Sequence, residues 1–290
     1  MSNNREHWGS RVGFIFAAAG SAVGLGNIWK FPHMAGQNGG AAFTLIYLIC
    51  ILLVGVPIVI AEFAIGRKTQ LSPVGAFKKL APDSWWKNVG YLGVASAFVI
   101  LSFYSVVGGW TLRYTFVAIS GGFEAMAGNP VLAKELFGDF VSSTWNPLFW
   151  HLIFIGLCIW IIVNGVKYGI ERWSKIMMPA IIIILIMLVI RGLTLKNGML
   201  GLEFLFKPKF SDLTANSVVL ALGHSFFTLS LGMGTMITYG SYLKKDQNLL
   251  SSAFWVIFLD TAIAMLAGIA IFTTVFALGA DPAGGAGLIF

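Results

Sequence analysis

Two short segments of this 290-residue chain combine glycines with polar side chains in apolar surroundings, and both could bind an ion or a small ligand. The first, Gly20-Ser-Ala-Val-Gly-Leu-Gly-Asn27, has three glycines within seven positions and then an asparagine. The second, Phe226-Phe-Thr-Leu-Ser-Leu-Gly-Met-Gly234, has a threonine and a serine before two glycines. Each glycine costs a helix about 1 kcal/mol relative to alanine, so both segments predict interrupted helices. Carbonyl and N–H groups freed by an interruption in a membrane require a polar partner, such as a cation or a charged substrate.

The first segment alone has a second interpretation. Gly20 and Gly24 have the Gly-x-x-x-Gly spacing that is also typical of closely packed membrane helices. The two segments together favour a transport site. They lie five spans apart and run in opposite directions, which is the pattern of an inverted-repeat secondary transporter.

Four further polar residues lie inside apolar runs, where an ionisable or hydroxyl group is expensive and usually functional. Glu62 is either an interfacial residue near the end of its span or, as we favour, a buried brace for free backbone N–H groups. Tyr104 lies mid-span, so its hydroxyl needs a partner there. Asp260 should meet a cation or be protonated. His224 is either its neighbour or a structural histidine.

Composition defines the setting for these residues. The chain is 57% hydrophobic and 11% charged, with a mean hydropathy of +0.83, which indicates a membrane protein and excludes water-soluble classes. Twelve of the 19 Lys and Arg residues fall on the side of the N-terminus, so we expect that side to be cytoplasmic. The net charge of +7 then reflects topology and contact with anionic lipid, and we expect no nucleic-acid partner.

The sequence shows neither the nucleophile–base pair nor the metal-ligand cluster of an enzyme. Seven spans are predicted, at 12–36 (broken), 41–66, 89–119, 148–164, 174–193, 218–243 (broken) and 251–279.

Several motifs over nearly the whole chain resemble the neurotransmitter:sodium symporter family, in its prokaryotic branch with the leucine-transporter fold. They are Arg5-Glu-His-Trp8, the two glycine segments, Phe31-Pro32, Glu62 to Arg67, Ile170-Glu-Arg172 and Lys245-Asp-Gln247. The resemblance implies an all-α membrane protein built on an inverted repeat of five helices. The first repeat is complete here, and the second is represented by its first two helices. We therefore expect residues 1–290 to form a single, truncated transporter domain.

The resemblance also implies an ion and substrate site. Sodium site 1 would use Ala22, Asn27, Thr228 and Asp260, and sodium site 2 would use Gly20 and Val23, with its other ligands absent from the chain. The substrate-binding residues would be Ala22, Leu25, Gly26, Ile100, Tyr104, Phe227, Thr228, Ser230 and Met233. Arg5, Trp8, Lys30 and Tyr242 would form the gates, with Lys30 where the family usually has arginine.

The expected function of the full-length parent is sodium-coupled symport of a small apolar or aromatic L-amino acid by alternating access in the plasma membrane. Two Na+ ions are expected, and chloride is not expected to be required, because Asp260 supplies a fixed negative charge where the family commonly has asparagine. The partners are then the amino-acid substrate and the lipid bilayer. The alternative is a truncated membrane fragment that does not transport.

Overall fold

The computed structural model describes residues 6–123 and 130–284, and within these ranges the chain is helical without strands. The helices are α1 (Arg11–Ala22), α2 (Gly26–Gln37), α3 (Ala41–Thr69), α4 (Pro73–Leu80), α5 (Lys87–Ile119), α6 (Pro130–Ser142), α7 (Trp145–Val163), α8 (Val166–Leu193), α9 (Gly198–Phe206), α10 (Ala215–Thr228), α11 (Thr235–Gly240) and α12 (Leu249–Ala277).

Five of the described helices, α3, α5, α7, α8 and α12, are each long and apolar enough to cross a membrane. Helices α1 and α2 meet this criterion as a pair bent by 48°. Helices α10 and α11, with 14 and 6 residues, do not, although they lie in the sixth predicted span. Length and hydropathy therefore identify up to six of the seven predicted spans in the described part of the chain.

The interruption between α1 and α2 has a local cause. Ser10 caps the start of α1, where its Oγ accepts a hydrogen bond from the Gly13 N–H at 2.9 Å. At Val23 the backbone turns extended, with ψ of 115°, and the helical hydrogen-bond ladder stops. The chain re-enters a helix at Gly26 through a π-helical turn that ends at Lys30. The dense glycines thus coincide with the bend, as the sequence predicts.

The interruption between α10 and α11 is longer. Helix α10 starts with a reciprocal cap between Thr214 and Ser217 and ends at Thr228. Three residues of the following segment have positive φ: Ser230 (54°), Gly232 (77°) and Gly234 (75°). This left-handed region is open to glycine and unfavourable for most other residues, so the two glycines allow the chain to leave the helix here.

Helix α12 is the central element of the described structure. It packs against α1, α2, α3, α8 and α9. In the apolar 18-residue window of α12, 56% of the residues are buried within the described structure. In the corresponding window of α7, none of the residues is buried. The face of α7 is therefore left to lipid or to further protein. The central position of α12 places Asp260 beside both interrupted helices.

Helix α8 begins earlier than predicted. The sequence predicts a fifth span from residue 174, with a basic turn before it, but α8 starts at Val166 in a π-helical turn. Gly165 turns the chain with φ of 77°, and the Val166 N–H donates to Glu6 Oε2 at 2.8 Å. The cap for this helix comes from 160 residues earlier in the chain, which explains why local sequence does not reveal its start.

Candidate functional site

Three buried polar side chains meet where the two interrupted helices approach α12. Asn27 Nδ2 donates to Asp260 Oδ1 at 2.8 Å and to the Asp260 carbonyl at 2.9 Å. Thr228 Oγ1 donates to Asp260 Oδ1 at 3.0 Å and to Oδ2 at 3.3 Å. All three side chains are fully shielded from solvent. The predicted side-chain ligands of sodium site 1 therefore lie together in one cluster.

The chemistry of this cluster suits a hard cation, because its acceptors are carboxylate, amide and hydroxyl oxygens. The Asn27 Oδ1 atom accepts a hydrogen bond from the Gly24 N–H at 3.2 Å, so it faces the interruption of the first helix. Ala22, whose carbonyl is the fourth predicted ligand, ends α1 just before this point. Among the described residues, no three His, Cys, Asp or Glu side chains group as they would at a transition-metal centre.

The two interruptions are joined directly. Ser230 Oγ donates to the Ser21 carbonyl at 3.1 Å, which links the unwound part of the second broken helix to the end of α1. Ser230 was predicted to bind a substrate amine, and this bond places its hydroxyl next to Ala22. Gly20 and Val23 are the residues predicted for sodium site 2. The extended conformation of Val23 takes its carbonyl out of the hydrogen-bond ladder of α1. Gly20 lies one turn earlier and faces Ser174 and Met178 of α8.

The predicted substrate-carboxylate residues also converge. The Leu25 N–H donates to the Tyr104 hydroxyl at 2.8 Å, so α5 contacts the interruption through this side chain. A Cβ atom on Gly24 would overlap the same hydroxyl, and one on Gly26 would lie 3.3 Å from the Phe227 ring. The glycines thus allow both aromatic side chains to approach the backbone closely.

Two residues predicted to line the side-chain pocket are less closely associated with this cluster. Ile100 is half-buried on α5, one turn after Ala97. Ala97 and Met233 line a cavity of about 530 Å³ together with Trp8 and Tyr239. Met233 therefore faces the side of the cluster nearer to the N-terminal segment, whereas Phe227 contacts Gly26.

The predicted gate residues occupy the two ends of the site. Trp8 is only 2% exposed, its Nε1 donates to the Tyr239 carbonyl at 3.0 Å, and its backbone N–H donates to the Tyr242 carbonyl at 3.3 Å. At the other end the Lys30 ammonium lies 4.0 Å from the centre of the Phe227 ring, in a cation–π contact. Arg5 lies outside the described residues.

Glu62 contacts the second interruption. Its Oε1 accepts a hydrogen bond from the Gly232 N–H at 2.8 Å, and the residue is 7% exposed. The carboxylate therefore satisfies a backbone donor that the unwound segment leaves without a helical partner. This geometry is that of a buried brace, the interpretation that the sequence favoured over an interfacial position.

His224 does not pair with Asp260 in the described structure, where neither ring nitrogen has a hydrogen-bond partner. Its ring lies against Phe31 and Tyr47, with centroid distances of 6.0 and 5.1 Å. Sequence analysis did not single out Tyr47, which is fully buried and packs its ring against both Phe31 and His224. A tyrosine in the middle of an apolar span was the available signal.

This chain is similar to known transporters in sequence and in structure. The model of the sodium:neurotransmitter symporter family matches residues 5–126 and 141–280. An uncharacterised sodium-dependent transporter of Bacillus subtilis (strain 168), YhdH, is 45% identical over 98% of this chain and 62% of its own length. A sodium-dependent neutral amino acid transporter of Bos taurus, B(0)AT2, is 28% identical over 94% of this chain and 41% of its own length.

Among solved structures, MhsT in complex with L-phenylalanine is similar with a TM-score of 0.92 and 52% identity. The match covers 99% of this chain and 65% of that chain, so this chain spans less than two thirds of both YhdH and MhsT. The similarity confirms the predicted all-helical leucine-transporter fold. The relatives are transporters and not enzymes. The chain belongs to the sodium:neurotransmitter symporter family.

Proposed function

We propose that the protein is a sodium-coupled symporter of a small apolar or aromatic L-amino acid, working by alternating access in the plasma membrane. The observation that carries this proposal is the fully buried cluster of Asn27, Thr228 and Asp260 between two interrupted helices. A carboxylate buried at this depth is costly unless it is paired with a cation or protonated. The sodium-dependent relatives and the phenylalanine complex of MhsT support the same assignment.

Two sodium ions are transported in this proposal. The first is bound by Asn27, Thr228, Asp260 and the Ala22 carbonyl, and the second by the carbonyls of Gly20 and Val23 with ligands from outside this chain. Because the first ion bridges α1, α10 and α12, its binding stabilises the arrangement in which both interruptions face one another. Ion binding and substrate binding are then coupled through the same backbone segments.

The substrate carboxylate is held by the N–H groups of Leu25 and Gly26 and by the Tyr104 hydroxyl. These N–H groups lie at the start of α2, where the helix dipole favours a negative charge. In the present structure the Leu25 N–H is bonded to Tyr104, so a carboxylate would share or replace that contact. The substrate amine faces the carbonyls of Ala22, Phe227 and Thr228 and the Ser230 hydroxyl.

The substrate side chain packs against Phe227, Ile100 and Met233, which provide no charge to pair with a charged side chain. Methionine adapts to ligands of different shape, so leucine-like and aromatic side chains are both expected to fit. This combination favours neutral apolar substrates over acidic and basic ones.

This chain crosses the membrane seven times in this proposal, with a cytoplasmic N-terminus. Trp8 and Tyr242 close the inner pathway, together with Arg5, and Lys30 closes the outer pathway above Phe227. Asp260 supplies within the ion site the negative charge that balances sodium, so chloride is not required.

The test is uptake of radiolabelled L-phenylalanine and L-leucine by the full-length protein in proteoliposomes with an inward sodium gradient. We expect uptake that collapses when potassium replaces sodium. Unlabelled leucine and tryptophan should compete for uptake, whereas glutamate and lysine should not. Preferred uptake of glutamate or lysine would refute the pocket assignment, and uptake that is indifferent to sodium would refute the ion assignment.

A further inference from the structure

The segment that precedes α1 is fastened to the start of α8 by two glutamates. Glu171 Oε2 accepts a hydrogen bond from the Gly9 N–H at 2.6 Å, and its Oε1 accepts from Ser10 Oγ at 3.0 Å. In the opposite direction, Glu6 Oε2 accepts from the Val166 N–H at 2.8 Å. Glu6 therefore caps α8, and Glu171 of α8 in turn holds the two residues that lead into α1.

Both helix starts lack an acidic residue of their own in the first turn. The first N–H groups of a helix have no intrahelical acceptor, and the helix dipole makes this end favourable for a carboxylate. Glu6 supplies this carboxylate to the first N–H of α8, and Glu171 places its carboxylate beside the start of α1 through the Gly9 N–H and the hydroxyl of the N-cap residue Ser10. We call this pair of contacts the cross-cap.

The local sequence is adapted to the close approach of Glu171. A Cβ atom on Gly13 would overlap its carboxylate, and one on Gly9 would lie 3.2 Å from its Oε2. Glu171 is only 2% exposed and is held from its other side by the Lys175 ammonium at 2.5 Å. The carboxylate is thus held in one position by Lys175 of its own helix and by Gly9 and Ser10 of the chain before α1.

Trp8 lies between the two halves of the cross-cap. Its ring stacks on Tyr239 with a centroid distance of 5.5 Å, and its Nε1 and backbone N–H donate to α11 and the residues just after it. The segment from Glu6 to Gly9 therefore connects the start of α8 to the end of α11. Displacement of α1 from α8 requires these charge-assisted hydrogen bonds to break.

We propose that Glu6 and Glu171 are positioning residues of the inner gate, which hold Trp8 and the inner half of α1 closed against α8 through the cross-cap. The role of these residues in a gate rests on the proposed transport function. The contact between α1 and α8 that they stabilise can be tested without measuring transport. Loss of either carboxylate should shift the resting protein toward a state in which α1 has separated from α8.

The test uses a cysteine as a reporter of that separation. Ala17 is 1% exposed and lies on the helical face of Gly13 and Gly20, both of which face α8. In the full-length protein with all native cysteines, including Cys50 and Cys158, replaced by alanine, Ala17→Cys is labelled by a membrane-impermeant thiol reagent applied from the cytoplasmic side. The labelling rate is then compared in the presence of Glu171→Gln, Glu6→Gln or both.

We expect labelling to accelerate roughly tenfold for Glu6→Gln, which weakens one charge-assisted hydrogen bond of the closed state, and by more for Glu171→Gln, which weakens two. Glu203→Gln, which changes an exposed glutamate on α9, is the matched control and should leave the rate unchanged. In transport, the two variants should change maximal uptake more than the half-saturating substrate concentration. Glu6→Asp should restore slow labelling in part, since it keeps the charge.

Equal labelling in the parent and in Glu171→Gln would overturn the proposal. Glu6 is exposed, so Glu6→Gln is expected to fold even if Glu171→Gln does not, and an unchanged rate in that variant overturns the proposal as well. Accelerated labelling in a protein that fails to take up any amino acid would refute the proposed function and leave the cross-cap supported.

Discussion

Asn27 Nδ2 lies 2.8 Å from Asp260 Oδ1, although the two residues are separated by 233 positions in the chain. Thr228 Oγ1 approaches the same carboxylate oxygen at 3.0 Å. The three residues belong to the first broken helix, the second broken helix and the central helix α12. A cation bound at this point would contact all three elements at once, which gives ion binding a direct effect on their relative positions.

The hydroxyl of Thr228 is expected to contribute to sodium binding. Thr228→Val keeps the size of the side chain and removes the oxygen, so the sodium concentration that gives half-maximal uptake should rise roughly tenfold, or about 1.4 kcal/mol. Thr115→Val, an exposed threonine on α5, is the control and should have no effect. The measurement is uptake as a function of sodium concentration at constant ionic strength. An unchanged sodium dependence in Thr228→Val would remove this residue from the ion site.

Asp260 is expected to make transport independent of chloride. With gluconate in place of chloride, uptake by the unmodified full-length protein should be unchanged, because the carboxylate balances the charge of the bound sodium ions. Asp260→Asn removes that charge, so this variant should bind sodium more weakly and gain activity when chloride is added. If the unmodified protein stops transporting in gluconate, the role given to Asp260 is wrong.

The Tyr104 hydroxyl is expected to contribute to substrate affinity. Tyr104→Phe removes the acceptor of the Leu25 N–H and a donor to the substrate carboxylate, a change worth roughly 1–2 kcal/mol, or about a tenfold loss of affinity. Tyr91→Phe, on an exposed part of the same helix, is the matched control. Equilibrium binding of labelled L-phenylalanine in sodium buffer provides the measurement. Equal affinity in the two variants would exclude Tyr104 from the substrate site.

A fourth prediction concerns the packing of α3 against α11. A Cβ atom on Gly66 would overlap the Ile237 carbonyl and would lie 2.8 Å from the Ser241 nitrogen. Gly66→Ala should therefore lower the free energy of unfolding by about 1–3 kcal/mol, because backbone atoms cannot move aside cheaply. The measurement is the thermal unfolding midpoint in detergent.

Gly223→Ala is the matched control for this packing prediction. Gly223 lies in α10 with no atom within 4 Å of an added Cβ, so alanine should leave stability unchanged or raise it by up to about 1 kcal/mol. A Gly66→Ala protein that melts at the same temperature as the Gly223→Ala protein would show that α3 and α11 are not packed this closely.

The sequence by itself determined the class of protein and the position of its site. High hydropathy with few charges required a membrane environment, and dense glycines beside Asn27 and Thr228 predicted where helices break, because both signals are local properties of the chain. The family motifs then indicated the leucine-transporter fold and the candidate ion and substrate residues.

Tertiary structure alone decided which distant groups are partners. The start of α8 at Val166 depends on a cap from Glu6, and the role of Glu171 depends on Gly9, 162 residues earlier. Likewise, the neighbours of His224 turned out to be Phe31 and Tyr47. A helix period or a glycine cluster is recorded in consecutive residues, but a contact across more than a hundred residues leaves no periodic signal in one sequence. Only the packed arrangement of the helices specifies it.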